Sequence, residues 1–151
     1  MTWPRRRPRS ERGTALIEVT WLSLLLLVPL VYIVVAVFEV QRSAYAVDAA
    51  TRAAGRAYSL AGTEQEGAAR ARAAAEVALA DQGLRLADGS FHVSCEPDPR
   101  DCLAPGASVH VAMSYQVVLP LVPDALGGGA PSIRVAAAHD VPYGTFREDL
   151  P

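Results

Sequence analysis

The chain has 151 residues, 51% of them hydrophobic, and a net charge of −2, which leaves room for one small domain and an added segment and no more. The charge is the average of two unlike parts, because residues 1–13 hold five Arg and one Glu, a net of +4, and the remainder is therefore −6. After residue 13 there is no basic patch of the kind that attracts nucleic acid.

Residues 1–13 form a basic leader with Pro4 and Pro8 among arginines, and nothing in it can pack, so it is expected to be disordered. A twin-arginine export signal at Arg5–Arg7 is set aside, since Pro8, Arg9, Ser10 and Glu11 follow where an early apolar stretch would be needed. Gly13, Thr14, Ala15, Leu16, Ile17 and Glu18 come next, and then twenty uncharged residues from Val19 to Phe38. As a helix that run is about 30 Å long, the thickness of a bilayer's hydrocarbon core. Arg5, Arg6, Arg7, Arg9 and Arg12 flank one end, whereas Glu39, Arg42, Asp48, Arg52 and Arg56 give the other a mixed flank. The positive-inside rule then predicts a cytoplasmic N-terminus and an exterior C-terminal domain. Within the span, Thr20 and Ser23 can bond to the backbone one turn earlier, and Pro29 predicts a kink. Trp21 and Tyr32 suit either interfacial anchoring or packing against partner helices.

The helical pattern continues past Glu39 through an Ala-rich stretch to Leu60, with Tyr45, Ala49, Ala53 and Ala57 at the i, i+4 spacing of one expected buried face. Ala61 and Gly62 break it. Thr63 and Glu66 form a capping box for a second helix over 64–82, with a Glu66–Arg70 pair, a thin apolar face built on Ala, Val77 and Leu79, and Gly83 as its stop. From Leu84 onward the period becomes alternating. Phe91, Val93 and Cys95 oppose His92 and Ser94 in a short strand. The clearest strand follows, with Val109, Val111, Met113, Tyr115, Val117 and Leu119 on one face and Ser108, His110, Ala112, Ser114 and Gln116 on the other. Pro120, Pro123 and Gly127–Gly129 make a connection to a weaker strand over 133–138, and the tail 141–151 is expected to drape loosely. The fold class is α+β: a membrane helix extended as an amphipathic helix, a second short helix and a small antiparallel sheet. The domains are residues 1–13, 14–60 and 61–151.

The two cysteines, Cys95 and Cys102, flank a Pro- and Asp-rich loop in a part of the chain expected to lie outside the cytoplasm, where thiols oxidise. One disulfide is predicted; a metal pair would need His neighbours and a spacing that are missing here. His92 and His110 can share the solvent face of paired strands and His139 precedes Asp140, but no ligand or triad spacing surrounds them in the sequence. The triple glycine lacks the Lys and Ser or Thr of a phosphate loop and reads as a linker. No catalytic residue, metal site, cofactor or small-molecule substrate is assigned.

The chemistry in the sequence lies at the start of the apolar run. Gly13 before Thr14, Glu18 as the fifth residue counted from Thr14, and the long helix resemble the cleavage site of type IV prepilins. Pro29, Glu39 and the Ala-rich stretch with Arg52, Ala53, Ala54, Gly55 and Arg56 extend the resemblance to the TadE-like minor pilins of the tight-adherence (Flp) pilus system. Val19 stands where members of that family typically carry Phe. The resemblance covers residues 10–60. It implies a pseudopilin that is not an enzyme, cut after Gly13 by a prepilin peptidase, with other pilins, the pilus assembly machinery and the membrane as its partners. Cleavage would leave a positive amine at Thr14 beside hydrocarbon, a costly charge unless paired. Glu18, one helical turn on, can neutralise that amine in its own chain or a neighbour's. Two alternatives are an uncleaved single-pass anchor presenting a binding domain, and a secreted protein cut after Ala46, where Ala44, Tyr45 and Ala46 supply a small-x-small pattern.

Overall fold

A computed structural model describes residues 12–119 and 131–145, with side chains from residue 15 onward. Its elements are α1 (Arg12–Ser59), α2 (Glu64–Ala80), β1 (Phe91–Glu96), β2 (Ser108–Val118) and β3 (Ser132–Pro142). The class is α+β, as the change from helical to alternating periodicity predicts. By contacts the chain divides into two units, Met1–Val35 and Ala36–Pro151, and α1 contributes residues to both.

In the first unit α1 is already helical at Arg12, so the last two residues of the expected disordered leader belong to the helix; Met1–Glu11 lie outside the described residues. Helix assignment runs unbroken through Pro29. Thr20 donates its hydroxyl to the Leu16 carbonyl at 2.8 Å, the bond to the preceding turn that keeps a polar side chain satisfied on an apolar helix. From Ala15 to Leu30 every side chain is exposed, including Trp21 at 69%. Ala15–Ser59 is the one helix among the described residues long and apolar enough to cross a membrane.

In the second unit the C-terminal half of α1 follows a different rule. Ser43, Ala46, Val47, Ala50, Thr51, Ala54 and Tyr58 are buried, whereas Tyr45 is 75% exposed, Ala49 is exposed, and Ala53 and Ala57 are half-buried. The expected face is therefore displaced by one position, about 100° around the helix. In an Ala-rich segment, Ala occurs on several faces and cannot mark one. The buried face is instead fixed by Val47 and Tyr58, the larger apolar residues that turn inward. α2 contributes Gly67, Ala71, Ala75 and Leu79 at strict i, i+4 spacing, and Val77, expected on that face, is exposed. Small residues let the backbones approach closely. A Cβ on Gly67 would lie 3.3 Å from the Tyr58 ring, and one on Gly55 only 2.6 Å from Cγ2 of Val141.

Both ends of α2 follow from its sequence. Thr63, extended at φ −141°, accepts from the Glu66 N–H at 3.3 Å, and the Glu66 carboxylate accepts from the Gly62 N–H at 3.1 Å. The capping box is thus made with its return bond one residue earlier than the usual pattern. Glu66 also pairs with Arg70 at 2.5 Å. At the other end Gly83 takes φ +72°, and the Leu84 and Gly83 amides donate to the Leu79 and Ala80 carbonyls, each at 2.9 Å. This left-handed close needs no Cβ at Gly83, and it brings Leu84 beside Leu79 in the core.

The three strands form one antiparallel sheet in the order β1–β2–β3. Register pairs Phe91 with Met113 and Cys95 with Val109 on one side, and Val109 with Val141 and Val117 with Ile133 on the other. The apolar positions of β2 face the helices, with Val109 and Val111 fully buried, and its polar positions face solvent. β3 is longer than the predicted 133–138. Val141 and Pro142 continue the ladder opposite Val109 and Ser108, and Tyr143 is buried, with its N–H donating to the Ala107 carbonyl at 2.7 Å. The tail is therefore tied down through Tyr143, because Val141 meets Gly55 and the Tyr143 ring has apolar surface to bury. The residues of the Pro- and Gly-rich connection from Pro120 to Gly129 lie outside the described residues.

Candidate functional site

Gly13, Thr14 and Glu18, the residues expected to serve processing and assembly, sit on the first turns of α1. The backbone is helical from Arg12, so positions 14 and 18 stand one turn apart along the same side of the helix. The Glu18 side chain is exposed, as are Leu16, Ile17 and Val19 around it. Among the described residues, no basic side chain is paired with Glu18. Glu18 is thus a carboxylate presented on a largely apolar, exposed helical surface, where a charge is costly in an apolar surrounding unless paired.

The predicted disulfide is present. Cys95, the last inward residue of β1, is joined to Cys102 with their Cα atoms 5.2 Å apart, and both are buried. The loop it closes is attached to the helices as well as to the sheet, since the Cys102 N–H donates to Oε1 of Glu64 at 2.6 Å. Glu64 lies in the first turn of α2, where the helix dipole favours a negative charge.

The solvent face of the sheet brings together residues that the sequence keeps apart. Ser94 of β1 lies opposite His110 of β2, and His110 lies opposite Asp140 of β3. His110 Nδ1 is 2.5 Å from Asp140 Oδ1, and Glu96, Ser108 and Ser94 line the same shallow recess. His92 shares that face, as expected from the alternation, whereas His139 faces the other way, toward Gly55. Residues 110 and 140 are thirty apart, and only the β2–β3 register makes them neighbours. Sequence reasoning missed the pair because the long connection hides that register. The alternation that puts both on the polar face was the available signal. The histidine is half-exposed and its carboxylate more so, which is what a solvated cross-strand pair looks like. Among the described residues no group of three or more His, Cys, Asp or Glu is placed to hold a metal ion.

The site residues therefore fall into three separate places: Gly13, Thr14 and Glu18 on the first turns of α1, the Cys95–Cys102 bridge beside α2, and the His110–Asp140 pair on the solvent face of the sheet. Comparison with protein-family models, with curated proteins and with solved structures finds no match for the chain.

Proposed function

We propose that this chain is a TadE-like minor pilin or pseudopilin of a type IV-like (Flp) pilus system. Its leader is removed after Gly13 by a prepilin peptidase, its helix spans the cell membrane with the N-terminus cytoplasmic, and its α+β domain lies outside. The observation that carries the reading is the joint placement of Gly13, Thr14 and Glu18 on the first turns of a helix whose next side chains, from Val19 to Leu30, are all exposed and nearly all apolar. A helix apolar on every side, with no cover from the described residues, has the surface of a membrane span. Its only carboxylate before Glu39 stands one turn after the residue that cleavage would make N-terminal. Such a pair neutralises the new amine, and between neighbouring helices it sets axial register.

The secreted reading is disfavoured by the packing. A cut after Ala46 would fall inside α1 and remove Ser43 and Ala46 from the core of the second unit. The uncleaved anchor is the remaining alternative, and it assigns no role to Glu18. In the native host, Glu18→Ala is expected to insert into the membrane at normal levels but to lose pilus assembly. Normal piliation in that variant would overturn the assembly role.

A further inference from the structure

Four contacts converge where α1 hands over to α2. Tyr58 is buried against Gly67, the Ala61 N–H donates to the Tyr58 carbonyl at 3.0 Å, and Arg70 Nη1 donates to the Leu60 carbonyl at 3.2 Å. The fourth comes from far along the chain: Glu64 accepts from the Cys102 N–H, thirty-eight residues away. None of the side chains in the disulfide loop between the cysteines is buried, so the loop has no core contact of its own beyond Cys95 and Cys102. On the loop side the Cys102 amide is therefore positioned by the disulfide, while Leu103 on its other side packs against the core, and that amide is what the loop offers to the helices.

We propose that the Cys95–Cys102 disulfide acts as a redox-sensitive latch on the corner between α1 and α2, with the Glu64 carboxylate as its catch. In the oxidised protein the bridge fixes the Cys102 N–H against Glu64, a charge-assisted bond of the stronger kind, and so holds the first turn of α2 over Tyr58. Opening the latch takes a two-electron reductant such as a dithiol. The Cys95–Cys102 sulfur–sulfur bond breaks, two cysteine S–H groups form, and the dithiol gives up two electrons and two protons as it closes to a cyclic disulfide. The sheet does not depend on the bridge in the same way, because β2 is held on both sides by backbone ladders and by the buried valines. In an exported domain the cysteines pair after translocation, so the corner sets outside the cytoplasm. That timing rests on the proposed topology, whereas the latch itself does not.

The test is amide hydrogen exchange on the full chain in detergent micelles, at labelling times short enough that only local openings register. Oxidised and dithiol-reduced wild type are compared with Glu64→Ala. Reduction is expected to speed exchange over residues 61–68 by about tenfold, the loss of one hydrogen bond to a charged group, while amides shared by β2 and β3 hold their rates. Oxidised Glu64→Ala is expected to exchange at the fast rate already and to respond little to dithiol. An unchanged corner on reduction, an equal response in β2 and β3, or a wild-type response in Glu64→Ala would each overturn the latch. The N-terminal processing of the chain affects none of these outcomes, so the latch can fail while the pilin reading stands, and the reverse.

Discussion

Two stretches of α1 obey opposite rules. From Ala15 to Leu30 every side chain is exposed although nearly all are apolar, whereas from Ser43 to Tyr58 seven side chains of mostly smaller residues are buried. Hydrophobicity alone would have reversed that assignment. What decides burial in the Ser43–Tyr58 stretch is fit. Alanines on α1 and α2, with Gly55 and Gly67, allow close backbone approach, and the few larger side chains fill what is left. The Ala15–Leu30 stretch has Leu, Val and Ile on every side and no complementary surface among the described residues. A helix of that kind is suited to an apolar solvent, and its one early carboxylate then becomes the feature that needs a reason.

The comparison can be broken from either side. The largest effect is expected at the N-terminal end, where Gly13→Leu should abolish the shortened form of the protein on immunoblots of host membranes, because the proposed cut needs a small residue. Accumulation of the shorter form in that variant would place the processing site elsewhere. In α2, which shares the core with the buried stretch of α1, Leu79→Ala removes the largest fully buried side chain among the described residues and is expected to cost about 3 kcal/mol of unfolding free energy, read from denaturant midpoints. A smaller effect is expected for Gly55→Ala. The new methyl must displace Val141, at roughly 1–3 kcal/mol, against a gain of about 1 kcal/mol in helix propensity, for a net loss near 1 kcal/mol. A stabilised Gly55→Ala would mean that α1 and β3 approach less closely than the Gly55–Val141 contact requires.

Much of the fold was legible because it rests on local signals. The Thr63 cap, the Gly83 stop, the alternation of β2 and the cysteine pair each follow from a few neighbouring residues, and each has its counterpart in the structure. What the sequence concealed depends on long-range fit. The buried face of α1 was misplaced by one residue because alanines recur on every side of it, and Val77 was expected inward because size outweighed position. The length of β3 and the anchoring of Tyr143 depend on pairing with residues far earlier in the chain, from Val111 back to Ala107. The same holds for His110 and Asp140, and for the Glu64 bond to Cys102. The residues proposed for processing and assembly are read from a local signal, since Gly13, Thr14 and Glu18 lie within six positions of one another and at the edge of a long apolar run.

The central claim is that α1 begins, in the mature protein, at the residue that Glu18 is placed to pair with. Sequencing the N-terminus of the protein isolated from membranes of its native host tests it directly. Thr14 is the predicted first residue, and an intact leader or a start at Val47 would contradict the account.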